Sequence, residues 1–219
     1  MKDTKIKGIY KDKNKLFTEN FKDSLGKKVY NERLVKFKGK EYRSWNPYRS
    51  KFAAAMLNGL ILEIKNDLNL LYLGAATGTT VSHFSDILDK GIVYSVENSP
   101  VAMKKLLSLS EVRRNIIPIF ADAFHSDIYN AIVSDVDMIY QDISQRNQAE
   151  IFIENIKRYL KDGGLGIIMV KARSIDVSLK PKEAYDLVSK KLIDSKIKIK
   201  KKVMLEPYEK DHCAILVSI

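Results

Sequence analysis

The sequence predicts an α/β fold: a parallel sheet of seven strands in which one strand runs antiparallel, preceded by a small β-rich segment. Three observations predict it. From residue 68 onward, short apolar runs alternate with amphipathic ones, the pattern of strands reconnected by helices across the faces of a sheet. The last two strand candidates are separated only by Pro-Tyr-Glu-Lys-Asp, too short for a parallel crossover, so they pair as an antiparallel hairpin. The first 45 residues show short alternating stretches punctuated by turn signals instead.

The elements are taken in chain order. IKGIYKD, KLFTEN and KKVYNERLVKFKGKEYRSW alternate apolar and polar side chains, with Asn31-Glu32 and Gly39-Lys40 as turn candidates. This segment is too small and too charged to stand alone, so it packs on the remainder of the chain. At Asn46-Pro47 the pattern changes. Ser50 is a helix N-cap, and KFAAAMLNGL continues as a helix to about Gly59. Strands are expected at 68–74, 91–97, 115–122, 136–142, 165–172, 196–206 and 212–219. Helices are expected at 79–89, from Pro100 to Glu111, from Gln145 to Leu160 and from Lys182 to Asp194, with a short helical piece after the third strand. Gly163-Gly164 breaks the third of these helices. The division expected from these patterns is a small basic β-rich domain at 1–50 and a larger domain at 51–219.

Charge is placed unevenly. Of the net +11, residues 1–51 carry 16 basic and 6 acidic side chains, residues 52–195 carry 16 and 18, and residues 196–219 carry 6 and 3. A basic end on a near-neutral body suits a polyanionic partner such as nucleic acid; charge alone does not separate this from a solvated, lysine-rich surface. Hydrophobic residues at 45% and charged residues at 30% fit a globular chain rather than a disordered one. The single cysteine, Cys213, excludes an intramolecular disulfide framework and a cysteine zinc site. No apolar run approaches a membrane span, and the lysine-rich start lacks the apolar stretch of a signal peptide, so a cytoplasmic location is expected, with no membrane partner.

The first strand of the larger region runs into Gly74-Ala75-Ala76-Thr77-Gly78-Thr79-Thr80 and then a helix. Small residues there let the backbone approach a ligand, and the helix start favours a carboxylate. The spacing is not the G-x-G-x-x-G of dinucleotide binders, and by itself it is weak. Glu97 ends the second strand, 19 residues after Gly78, where an acid accepts from both hydroxyls of a ribose. Asp122, followed by Ala123, ends the third strand and can accept from an adenine amino group. Asp142 ends the fourth. Any one of these carboxylates is readily a helix cap, but three in order converge on the crevice where open α/β sheets bind ligands. The set suits an adenosine that carries a sulfonium and an amino-acid end, S-adenosylmethionine. No GKT or GKS grasps a triphosphate.

SWNPYRSKFAAA, LGAATGTTVSH, VENSP, ADA, QDISQ, VKARSID and EPYEKDHCA resemble, in order and at compatible spacing, the conserved blocks of the fibrillarin family in its short archaeal-type form. The resemblance spans essentially the whole chain. It implies a Rossmann-like class I methyltransferase sheet and S-adenosyl-L-methionine-dependent methylation of RNA 2′-hydroxyls, chiefly in ribosomal RNA and extending to tRNA. It also implies a ribonucleoprotein in which a box C/D guide RNA selects the target RNA, with a Nop-domain scaffold protein and a kink-turn-binding protein of the L7Ae type as partners. By matched position it places Gly74, Ala75, Thr79, Thr80, Glu97, Asn98, Asp122, Ala123, Asp142, Ile143, Ser144 and Gln145 at the cofactor. Lys51, Asp142, Lys171 and His212 match the catalytic set. Thr77 stands where serine is frequent, and QDIS where Asp-Val-Ala is usual.

A ribose hydroxyl must lose its proton as it attacks, and alignment is much of the catalysis. Lys171 is the candidate base or hydroxyl-orienting group, and Asp142 the positioner of Lys171 and of the methyl group. His212 and Lys51 are expected to hold the substrate phosphate or ribose. His83 and His125 are expected to be structural, and Tyr42, Trp45 and Tyr48 to pack between the small and large regions. Two other functions remain open on the sequence: a small-molecule methyltransferase, and a non-catalytic RNA-binding subunit with a vestigial cofactor fold.

Overall fold

The structure, a computed structural model, describes residues 2–4 and 6–219. Its first part is a five-stranded antiparallel sheet of β1 (Lys2–Asp3), β2 (Ile9–Asp12), β3 (Lys15–Glu19), β4 (Leu34–Phe37) and β5 (Lys40–Trp45), in the order β1-β2-β3-β5-β4. The turn between β4 and β5 falls at Lys38-Gly39, both with positive φ. The expected pairing of residues 27–33 does not form. Glu32 turns inward there, and its carboxylate accepts from the amides of Val29 and Tyr30 and from the Arg43 guanidinium. The backbone wraps a buried charge instead of joining a ladder.

The chain continues through α1 (Lys51–Leu57), β6 (Leu70–Leu73), α2 (Thr79–Ile87), β7 (Val93–Glu97), α3 (Pro100–Val112), β8 (Ile116–Phe120), β9 (Val136–Gln141), α4 (Gln148–Tyr159), β10 (Leu160–Lys171), α5 (Ala172–Ile175), α6 (Pro181–Asp194), β11 (Lys198–Met204) and β12 (His212–Ser218). The large sheet has the order β11-β12-β10-β9-β6-β7-β8. Only β12 is antiparallel to its neighbours, lying between β10 and β11. The hairpin inferred from the short PYEKD link therefore places one reversed strand in a sheet of seven. Ser50 caps α1 by accepting from the Ala53 amide, and Ser99 caps α3 ahead of Pro100.

Central strand β6 is buried throughout, and its period of two divides the core. Leu70 and Tyr72 face a cluster that includes Phe52, Phe84 and Tyr140 under α1 and α2. Leu71 and Leu73 face the opposite cluster, with Phe152, Ile156 and Val188 from α4 and α6. Full burial of each such side chain contributes roughly 1.5–3 kcal/mol. The first cluster also contains Ile6, Ile9, Leu16 and Trp45, so the small sheet shares the large sheet's core. Trp45 stacks on His83 at 4.5 Å, as expected for packing between the two sheets, whereas Tyr42 is buried edge-on to Tyr10 within the small sheet. Tyr48 is 61% exposed, with its ring edge-on to that of Tyr208.

A buried polar network joins the sheets. Asp86 of α2 accepts from Arg43 at 2.7 Å, Arg113 at 2.5 Å, the Thr18 hydroxyl at 2.6 Å and the Phe21 amide at 2.9 Å. Thr18 gives its one proton to Asp86, so His83 Nδ1 donates to the Thr18 hydroxyl and His83 Nε2 accepts from Tyr30. Burial, with Arg43 and Arg113 nearby, holds His83 well below its ordinary pKa, which agrees with that neutral ring.

Two boundaries and one element differ from expectation. α4 starts at Gln148, leaving 143–147 as loop, and β10 begins at Leu160 and passes through Gly163-Gly164 with a register shift before Leu165. Helix α5 is an additional single turn. Four of the six lysines of the C-terminal charge excess lie on edge strand β11, where Lys198, Lys200, Lys201 and Lys202 are exposed beside a register shift. Lysines and an irregularity are two devices that keep a sheet edge from pairing with another chain.

Candidate active site

The C-terminal ends of β6, β7, β8 and β9 converge on a crevice of about 290 Å³. Gly74 leaves β6 at φ +83, and a Cβ there would lie 2.5 Å from the Asp142 carbonyl oxygen, so only glycine lets the two loops meet. The amides of Gly74 and Ala75 both donate to the Val96 carbonyl at 3.0 Å. Ala76 is held at φ +48 by its amide hydrogen bond to Glu97 Oε2 at 2.7 Å, and Glu97 Oε1 accepts from the Ser99 amide at 2.8 Å. Glu97 thus pins both loops while keeping lone pairs for a ligand. Asp122 Oδ1 accepts from the Phe124 amide and from Gln145, and its Oδ2 takes no protein partner among the described residues.

Nine of the twelve residues expected at the cofactor line this crevice: Gly74, Glu97, Asn98, Asp122, Ala123, Asp142, Ile143, Ser144 and Gln145. Ala75, Thr79 and Thr80 do not. Thr80 is buried, and its hydroxyl donates to Ser50 at 3.0 Å, tying the start of α2 to the cap of α1. Ala76, Val96 and Ala121 also line the wall, without having been expected there. Their only signal in the sequence is adjacency to Glu97, Asp122 and the glycine turn. The wall carries three carboxylates and no lysine or arginine. That chemistry suits a cationic, phosphate-free adenosine compound and is poor for a nucleotide phosphate.

Beside the crevice, Asp142 accepts from Lys51 Nζ at 2.8 and 3.2 Å. The expected pairing of Asp142 with Lys171 is not formed among the described residues. Lys51 opens α1 directly after the Ser50 cap, which brings its ammonium onto the end of β9. Lys171, the last residue of β10, stands directly opposite His212, the first of β12. Such cross-strand partners have Cβ atoms about 4.5–5.5 Å apart. Gln148, absent from the sequence candidates, makes two hydrogen bonds with the Lys171 backbone, accepting from its amide at 3.3 Å and donating to its carbonyl at 3.4 Å. His212 Nδ1 donates to the Lys210 carbonyl at 2.7 Å. Burial pushes His212 below its ordinary pKa and the Lys51 ammonium adds to this, against the hydrogen bond to Lys210. The net shift favours the neutral ring, whose Nε2 presents a lone pair. Nε2 is then the ring nitrogen left for the substrate phosphate or ribose that His212 is expected to hold.

A sheet with one reversed strand between the fifth strand's edge and an outer strand, and an acidic crevice at its carboxyl end, define the class I methyltransferase fold. The chain belongs to the fibrillarin family: the family model Fibrillarin matches residues 1–219. A Methanocaldococcus jannaschii fibrillarin-like rRNA/tRNA 2′-O-methyltransferase is 47% identical over 97% of this chain and 96% of its own. The structure of Aeropyrum pernix fibrillarin with natively bound S-adenosyl-L-methionine matches at a TM-score of 0.88 with 41% identity, over 99% of this chain and 96% of that one. A fibrillarin/Nop5p complex matches at 0.89 with 44% identity, over 97% and 98%.

Glu97→Ala tests the crevice. Glu97 can offer about two charge-assisted hydrogen bonds to a ribose, each worth roughly 1.5–3 kcal/mol, and it also braces Ala76. Affinity for S-adenosylmethionine by calorimetry is expected to fall at least about 100-fold. Unchanged affinity overturns the assignment.

Proposed function

We propose that this chain transfers a methyl group from S-adenosyl-L-methionine to the ribose 2′-hydroxyl of RNA, ribosomal RNA first and tRNA in addition. A box C/D guide RNA chooses the nucleotide, in a particle with a Nop-domain scaffold and a kink-turn-binding protein of the L7Ae type. The observation that carries this reading is the meeting of Lys171 and His212, opposite one another, with the Lys51–Asp142 pair at the rim of an acidic crevice without cations. The relatives named rRNA/tRNA 2′-O-methyltransferases and the Nop5p complex of a relative support it.

The cofactor supplies an electrophilic methyl group on a sulfonium. Glu97 would hold its ribose and Asp122 its adenine amino group, while the acidic wall favours its positive charge. Asp142, matched by Lys51, sits at the end of β9 as a fixed charge pair. Lys171 Nζ orients the substrate hydroxyl or takes its proton, and His212 Nε2 accepts from a ribose hydroxyl beside it. Gln148 clamps the Lys171 backbone, so the lysine is delivered from a rigid strand end. Alignment of this kind can contribute several kcal/mol to a bimolecular transfer.

The test is transfer of labelled methyl to RNA with and without a guide RNA and scaffold, against small-molecule acceptors. Guide-dependent labelling at a ribose is expected. Labelling of small acceptors alone, or no labelling of any acceptor in the complete particle, overturns the reading.

A further inference from the structure

A groove of about 960 Å³ lies between residues 24–30 and α3. Its walls carry Lys27, Lys28, Arg49, Lys104 and Lys105, all exposed, and no carboxylate. None of these five cations has an acidic partner among the described residues, whereas Lys40, Lys51, Lys161, Arg173 and Lys191 each have one. The Arg49 guanidinium lies 5.9 Å from the centre of the Tyr30 ring, which orients it over the groove. Thr77, next to Ala76 of the cofactor crevice, and Pro100, two residues from its Asn98, also line the groove, so the two depressions are neighbours. Arg49 is two residues from Lys51. Lys51 itself is already matched by Asp142.

We propose that this groove binds the phosphate backbone of a single RNA strand and leads it along Arg49 to the methyl-transfer cluster. The proposal rests on RNA being the substrate. Charge complementarity selects the occupant: five unmatched cations on a concave wall attract a polyanion, and an apolar peptide would have to desolvate them without return. The contacts are to phosphates, so they contribute affinity and register without reading sequence.

The test titrates the full-length chain with a labelled single-stranded RNA between 50 and 200 mM salt. Lys104→Ala with Lys105→Ala removes two charges from the groove. Lys198→Ala with Lys200→Ala removes two from edge strand β11, outside it. Loss of two phosphate contacts makes the log affinity against log salt shallower by about 1.4, since each contact on a single strand contributes about 0.7. The groove variant is expected to show this and the edge variant not, both with unchanged S-adenosylmethionine affinity. Equal slopes in wild type and groove variant, equal changes in both variants, or no RNA binding by the wild-type chain overturn the proposal. So does a groove variant that keeps its RNA slope but no longer binds a Nop-domain scaffold. Methyl transfer by the wild-type particle is read separately, so the groove can fail while the proposed reaction stands.

Discussion

Lys171→Ala is expected to lower methyl transfer roughly 10²–10⁴-fold, the range of a lost positioned proton-transfer group, while S-adenosylmethionine affinity stays within a factor of two or so. The separation arises from place. Lys171 ends β10 opposite His212, whereas the crevice wall is built from the loops after β6 to β9. Lys171→Arg sharpens the result. Arginine keeps the positive charge but does not give up its proton in proteins. If Lys171 takes the hydroxyl proton, the arginine variant is as inactive as the alanine variant. Partial activity in the arginine variant assigns Lys171 to orientation by charge. Near-normal single-turnover rates in Lys171→Ala would remove it from the mechanism altogether.

Asp86→Asn is expected to cost about 3–5 kcal/mol of stability, the usual consequence of removing one partner from a buried ion cluster. The side chain keeps its shape, so packing is preserved and the effect isolates charge. Arg43 and Arg113, both buried, lose their shared carboxylate, and an amide nitrogen now faces donors. For a chain of this length that corresponds to a drop in Tm on the order of 10 °C. Acid tests the same network. Burial alone would raise the Glu32 carboxyl, but Arg43 and the amides of Tyr30 and Val29 outweigh it and hold it below its ordinary 4.5. A depressed carboxyl contributes stability that is present above its unfolded value and lost as the pH falls through its folded one. Thermal stability should therefore decline below about pH 4.5, and Glu32→Gln should flatten that decline. An Asp86→Asn protein as stable as wild type would show the cluster to be dispensable.

Most of the large sheet was legible because its signals are local. Each strand is a compact apolar run, each crossover helix has its own period, and the length of one link dictated the hairpin. The crevice carboxylates were legible for a related reason: Glu97 ends β7, Asp142 and Asp122 lie one and two residues past the ends of β9 and β8, and a parallel sheet brings its strand ends together. The features that stayed hidden depend on contacts between distant segments. Lys51 and Asp142 are 91 residues apart, and nothing local says that the aspartate takes Lys51 rather than Lys171. Thr80 is placed at the cofactor by its matched position, and nothing local says that its hydroxyl also donates to Ser50, 30 residues earlier. Residues 27–33 alternate like a strand, but the buried Arg43 draws Glu32 inward, and one ion pair outweighs a marginal β pattern. The basic groove needs residues 27–28 and 104–105 on facing walls, a relation with no linear signature.

The reversal of β12 has a consequence for chain economy. In a wholly parallel sheet a strand can offer the carboxyl-end rim only its last residue; its first lies at the far edge, about 20 Å away for seven residues at roughly 3.3 Å each. Because β12 runs backwards between β10 and β11, its opening residue, His212, arrives at the rim, and the ladder from Leu165–Ser218 to Lys171–His212 serves as a ruler that fixes it against Lys171. A one-residue slip of that ladder would turn His212 to the other face of the sheet. The spacing between the two groups is therefore set by backbone hydrogen bonds along the whole hairpin, and substitutions as remote as the middle of β12 can detune it without touching the rim.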